Sequence, residues 1–160
     1  MCTKLKEITL PEGLTEIGEG AFAECDSLEA IEIPGNITTL APYLFAGCDR
    51  LADVTLPDGL ERIENDAFES CRDLESIVLP DSVEFLGGYC FAHCERLSQI
   101  NYPLSLTESD GCVFEGCRDL ETITVPEGVT TLHSQAVLDC PKLSKLTLPA
   151  SVTVITDDWL

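Results

Sequence analysis

The feature that most constrains this chain is a 23-residue period that never slips. Cysteine stands at Cys2, Cys25, Cys48, Cys71, Cys94, Cys117 and Cys140, each 23 residues after the last. Proline keeps the same step at Pro11, Pro34, Pro57, Pro80, Pro103, Pro126 and Pro149. Leucine does so at Leu5, Leu28, Leu51, Leu74, Leu97, Leu120 and Leu143. Phenylalanine runs through Phe22, Phe45, Phe68, Phe91 and Phe114, with Val137 next. Four residue types in one phase, without insertions, define a stack of like units. At 160 residues the chain holds just under seven of them.

One unit reads Cys25-x-x-Leu28-x-x-Ile31-x-Ile33-Pro34-x-x-Ile37-x-x-Leu40, then a loop, then Leu44-Phe45-x-x-Cys48. Ile31 and Ile33 alternate with period two, which makes a short strand. Pro34 lacks a backbone donor and stops it. Two residues after each proline comes a turn former: Gly13, Asn36, Gly59, Ser82, Ser105, Gly128 or Ser151. A second short extended piece follows, as at Leu60–Ile63. The apolar spacing of three and four around Ala67–Cys71 predicts one helical turn. No unit can bury its apolar side alone. Stacked units must share a core, with neighbours roughly 4.8 Å apart as in a parallel sheet.

The order Pro11-Glu-Gly-Leu14, Ile17-Gly-Glu-Gly-Ala-Phe22 and Cys25 resembles the BspA-type leucine-rich repeat family, a bacterial and protist group, over essentially the whole chain. It differs from the commonest leucine-rich repeat, in which Asn or Cys follows the strand; here Cys precedes it. The resemblance implies an α/β fold, a right-handed leucine-rich-repeat solenoid of about seven 23-residue coils with short parallel strands. It implies a single domain over residues 1–160, and because Met1 falls in mid-repeat, a fragment of a longer protein. It further implies a non-catalytic protein-binding or adhesive domain, at the cell surface or secreted. The partner would be a host or matrix protein, with a glycan also open. The alternative is a structural spacer or scaffold segment of a larger surface protein, with recognition elsewhere.

Charge narrows the partners. The chain carries 29 acidic and 9 basic residues, a formal net charge of −20. Such a surface repels phosphate backbones and anionic lipid heads, which sets aside nucleic acid and anionic membranes. No apolar run approaches the roughly 18 residues of a spanning helix, and the N-terminus lacks the apolar stretch of a secretory signal.

Nine cysteines invite a disulfide or metal reading. Seven form one repeat column, leaving Cys90 and Cys112. The column reads as small buried residues whose thiols donate to backbone carbonyls, free of disulfides and buried in one row. The sharpest metal candidate is Cys90, His93 and Cys94 with Cys112 and Cys117 one coil on. Their columns point in different directions, whereas zinc needs four converging ligands, so no cofactor is expected. The two histidines, His93 and His133, lie 40 residues apart and in different columns. Neither has the base-and-orienter arrangement of a nucleophilic triad, and the chain is not expected to be an enzyme.

Two adjacent surface columns alternate in sign. One runs Asp49, Arg72, Glu95, Arg118; its neighbour runs Arg50, Asp73, Arg96, Asp119, Lys142. This checkerboard predicts register control, because a slip by one coil would bring like charges together. With Asp26 and Lys4 the two columns hold 6 basic and 5 acidic residues, leaving 3 basic and 24 acidic elsewhere.

Departures from the column consensus mark candidate partner-binding residues. Val78 and Asn101 stand on the exposed side of the first strand, otherwise rich in Thr. Phe85 stands in a column of polar residues, beside Arg62 one coil earlier. Tyr89 follows in the loop column, with Tyr43 two coils away. The fifth coil is irregular at Tyr102, Leu104 and Ser109. At the end of the chain Trp159 takes a small-residue position and Leu160 the Phe position. This predicts a lid over the last coil, with the N-terminal coil the weaker end; end-to-end self-association is the alternative.

Overall fold

A computed structural model describes residues 2–156; the expected lid at Trp159 and Leu160 lies outside them. Strands come in pairs, one before each proline and one after it. The first set comprises β1 (Ala30–Glu32), β3 (Asp53–Thr55), β5 (Ser76–Ile77), β7 (Gln99–Ile100), β9 (Thr122–Thr124) and β11 (Lys145–Thr147). The second comprises β2 (Thr39–Leu40), β4 (Arg62–Ile63), β6 (Phe85–Leu86), β8 (Glu108–Ser109), β10 (Thr131–His133) and β12 (Val154–Thr156). Among the described residues six coils therefore carry a strand pair, and the first contributes only the bridge from Glu7 to Ala30. All pairings are parallel and join residues 23 apart, as in Ile31 to Val54 and Ile63 to Leu86. The sequence period is thus the rise of a parallel β-solenoid.

The columns form the core. Phe22, Phe45, Phe68, Phe91 and Phe114 stack with successive centroids 5.7, 5.2, 5.2 and 5.9 Å apart. Beside them the column thiols from Cys48 to Cys140 each donate to the phenylalanine carbonyl of the preceding coil. The distances are 3.1 Å for Cys48 to Phe22, 3.3 Å for Cys71 to Phe45 and 3.1 Å for Cys117 to Phe91. The row is not buried throughout. Cys25 to Cys117 are buried, Cys140 is half-buried and Cys2 exposed, because the end coils lack a neighbour on one side. Cys90 and Cys112, outside the column, are buried too. In the irregular fifth coil, Tyr102 turns its ring edge-on to Phe114 at 5.8 Å.

The corner around Ala67–Cys71 is not the expected helical turn. Asp66 and Ser70 adopt left-handed backbone, φ 58° and 59°, and a run of right-handed helix cannot contain them. Instead, donors alternate. Ala67, Glu69 and Cys71 donate within the coil, to Glu64, Asp66 and Phe68 at 3.3, 3.1 and 3.1 Å. Asp66, Phe68 and Ser70 donate to Gly88, Cys90 and Ala92 of the next coil at 3.0, 2.9 and 2.8 Å. The same two left-handed positions recur at Gly20 and Glu24, Tyr43 and Gly47, Tyr89 and His93, and Cys112 and Gly116. Among the described residues the helical share is one 3-10 turn, Ser134–Val137.

The two strand sets differ in continuity. β2, β4, β6 and β8 form one four-stranded sheet. The strands before the prolines split into pairs: β1 with β3, β5 with β7, β9 with β11. Within the β5–β7 pair a side chain replaces one backbone bond. Elsewhere Ile33 and Val125 donate to the backbone carbonyls of Thr55 and Thr147, both at 3.0 Å. At the equivalent place the Asn101 side chain intervenes. Its Oδ1 accepts the Leu79 amide and its Nδ2 donates to the Leu79 carbonyl, both at 2.8 Å. The β5–β7 pair is two residues long, where the β1–β3 and β9–β11 pairs run to three. The break between β3 and β5 has no counterpart in the sequence pattern.

Candidate binding surface

The buried thiols and the two histidines are engaged within the fold. Burial pushes the Cys48 thiol up to about 12 and raises those of Cys71, Cys90 and Cys94 well above the ordinary range. A thiol held neutral is neither a nucleophile nor a metal ligand. The His93 ring lies directly over Gly116, so closely that a side chain there would collide with it. His133 Nδ1 meets the Thr156 hydroxyl at 3.0 Å. Among the described residues no three His, Cys, Asp or Glu side chains converge as a metal-binding set.

The charge checkerboard is realised in part, as ion pairs down each column; among the described residues Arg50 has no ion pair and Arg96 none with Asp119. Arg72 sits between Asp49 at 2.8 Å and Glu95 at 3.9 Å, and Arg118 reaches Glu95 at 3.7 Å. In the adjacent column Arg96 pairs with Asp73 at 3.3 Å and also with Glu75, and Lys142 pairs with Asp119 at 2.8 Å. Every one of these pairs except Arg96 with Glu75 joins residues 23 apart, so a one-coil slip would break the set.

The six candidate contact residues fall in three places. Arg62 and Phe85 meet on β4 and β6: the guanidinium lies 4.0 Å from the ring centroid, and its Nε holds Glu64 at 2.8 Å. Tyr43 and Tyr89 stand at the corner, each 45% exposed. Each leans on the next coil, Tyr43 on Asp66 and Tyr89 on Cys112. The Asp66 charge raises the Tyr43 phenol above its usual range, and burial raises the Asp66 carboxyl. Val78 and Asn101 share the strand face. They lie with Ile77 and Ile100 in an open groove of about 620 Å³ beside the β7–β9 break. A second groove of about 340 Å³ follows the β3–β5 break, lined by Asp53, Val54 and Val78 among others. Val78 is thus a ridge between two grooves, 78% exposed. The grooves themselves were not foreseeable from the pattern.

Comparison with known proteins supplies the family. The BspA type leucine rich repeat region model matches in six copies over residues 1–97 and 42–159. A leucine-rich repeat protein from Bacteroides ovatus ATCC 8483 is 32% identical, with a TM-score of 0.91 over 98% of this chain and 40% of that one. A T. pallidum leucine rich repeat protein is also 32% identical, with a TM-score of 0.85 over 89% of this chain and 67% of that one. A leucine rich cell surface protein from Faecalibacterium prausnitzii A2-165 shares the fold at 20% identity and a TM-score of 0.57, over 91% of this chain and 66% of that one. No curated protein matches. This chain spans less than half of the Bacteroides ovatus protein. With unbroken 23-residue register, a thiol-to-carbonyl column and matches across nearly its whole length, the chain belongs to the BspA-type leucine-rich repeat family.

Proposed function

We propose that the chain is a non-catalytic protein-binding repeat domain of a bacterial surface or secreted protein, engaging a host or matrix protein through its strand face. The family supports the class of function, since stacked repeats commonly serve as protein-interaction or surface scaffolds. The observation that carries the reading is Val78, an aliphatic side chain 78% exposed between two grooves that also expose Ser, Thr, Gln, Asn and carboxylate side chains. An exposed aliphatic side chain beside open grooves gives a partner apolar area to cover.

The test is an array of purified matrix and plasma proteins probed with the chain and with its Val78→Asp and Phe85→Ala variants. The reading expects at least one partner whose binding falls tenfold or more with Val78→Asp at unchanged melting. The rival reading, a rigid spacer, is favoured by the ladder of ion pairs along the coils. It is supported instead if the full-length protein binds a partner and this chain binds none.

A further inference from the structure

We infer that the strand face receives from its protein partner an apolar side chain flanked by basic residues. The inference rests on the protein-binding reading above and adds the partner's chemistry.

The face has an uncharged centre and an acidic rim. Its centre consists of Val78 with Ser76, Ser98, Gln99 and Asn101, all uncharged and within the two grooves or beside them. Around that centre stand Glu32, Asp53, Glu75 and Glu121, every one exposed. Among the described residues the only cations on this face are Lys6 and Lys145, at its two ends in the first and last coils, and Lys6 is held by Glu29 at 3.3 Å. Glu75 pairs with Arg96. Glu32, Asp53 and Glu121 have no ion-pair partner among the described residues.

A second copy of this chain does not suit the face. Two such rims would meet acid to acid, in a protein of net charge −20. An acidic partner is excluded on the same ground, since like charges across an interface oppose association. A purely apolar partner would leave the rim carboxylates desolvated and unpaired, which is costly. A partner with a central aliphatic or aromatic residue and arginines or lysines around it satisfies both parts. The apolar residue covers Val78 and enters a groove, while the cations meet Asp53 on one side and Glu121 on the other. Both carboxylates line grooves that Val78 borders or overlooks, so one short segment can reach all three.

The probe is a fluorescein-labelled nonapeptide with a central leucine between arginine pairs, followed by fluorescence anisotropy with the whole chain at low salt. Two matched peptides replace the arginines by glutamates or the leucine by serine. The arginine–leucine peptide is expected to bind at least tenfold tighter than either. Val78→Asp and the milder Val78→Ala should each weaken it several-fold or more, the former although it adds a negative charge. Asp53→Lys or Glu121→Lys should weaken it about tenfold. Glu16→Lys changes the net charge equally but away from this face, and should leave binding within twofold.

Equal weakening by Glu16→Lys would overturn the inference, since attraction to the whole acidic molecule would then explain the binding. Binding of the glutamate peptide as tightly as the arginine one would overturn the basic partner and leave the protein-binding reading standing. Indifference to both Val78 variants would remove the strand face itself. No binding of the arginine–leucine peptide would also overturn the inference, while a matrix-protein partner found on the array would keep the broader reading.

Discussion

Reversing one charge in the ladder tests whether it stabilises the stack. Arg96 contacts Asp73 at 3.3 Å and Glu75, with Asp119 next in its column. It is roughly half exposed, so each pair is worth only about 0.2–1 kcal/mol. Arg96→Glu removes two such attractions and sets a carboxylate among three others, a total of about 1–2 kcal/mol at low salt. Urea denaturation should register this as a lower midpoint with an unchanged slope. Lys145→Glu is the matched control. It alters net charge equally, but Lys145 has no ion-pair partner among the described residues; it should cost a few tenths of a kcal/mol at most. Glu127, by contrast, is a poor control site, because its carboxylate accepts the Ala150 amide at 3.4 Å. In about 1 M salt the screening length falls to about 3 Å and the two variants should converge. Equal losses for both at low salt would mean that self-repulsion of the whole acidic chain is being measured. A loss that survives high salt would assign it to packing of the Arg96 stem.

Three further outcomes follow from the geometry. Gly87→Ala should cost about 1–3 kcal/mol, because a Cβ there would stand 2.5 Å from both the amide and Oδ1 of Asn65, whereas Gly59→Ala meets open space and should be near neutral in thermal melting. Ser70→Gly should raise stability by up to about 1 kcal/mol, and Gly47→Ala should lower it by about 1–2, since both positions hold left-handed backbone. The buried thiols are neutral in the fold and have folded pKa values above their unfolded ones, so the stability they support is intact below about pH 9 and is lost as pH rises toward the folded value of about 12 for Cys48. Alkaline unfolding should become shallower in Cys48→Ala, and thiol titration should find Cys2 reactive in the native state and all nine groups after denaturation without reductant.

How much was legible in the sequence depended on whether neighbours along a column decide the structure. Cys71 donating to Phe45, and Arg72 lying between Asp49 and Glu95, are interactions between equivalent positions one coil apart or close to it. A strict period places such residues together without further information. The corner was not legible. Its left-handed positions are filled by Glu, Tyr, Asp, Ser, His and Cys as well as Gly, so no residue type marks them. The apolar spacing fits a helical turn equally well, and what decides between the two is the set of backbone bonds to the next coil. The candidate site was half legible. The odd residues stood out, but Arg62 with Phe85, Tyr43 with Tyr89, and Val78 with Asn101 proved to be three places, because their columns face different ways.

The same reasoning separates those odd residues by what they do. In a stack of like coils, a residue that matches its column is accounted for by the column. One that departs from it either repairs something local or does something outside the fold. Asn101 repairs: both ends of its amide are spent on the Leu79 backbone. Phe85 receives the Arg62 guanidinium, and Tyr43 and Tyr89 lie on Asp66 and Cys112 of the next coil. Each thus has an intramolecular partner. Val78 has none to repair. Its neighbours Ile77 and Leu79 point into the core, only 4% and 2% exposed, and its own side chain stands in water between two grooves. Full burial of a valine is worth about 1.5–3 kcal/mol, and this fold leaves nearly all of that unused. Under the protein-binding proposal a contact with another molecule would gain it, and among the six candidate residues Val78, rather than an aromatic one, is the first to test.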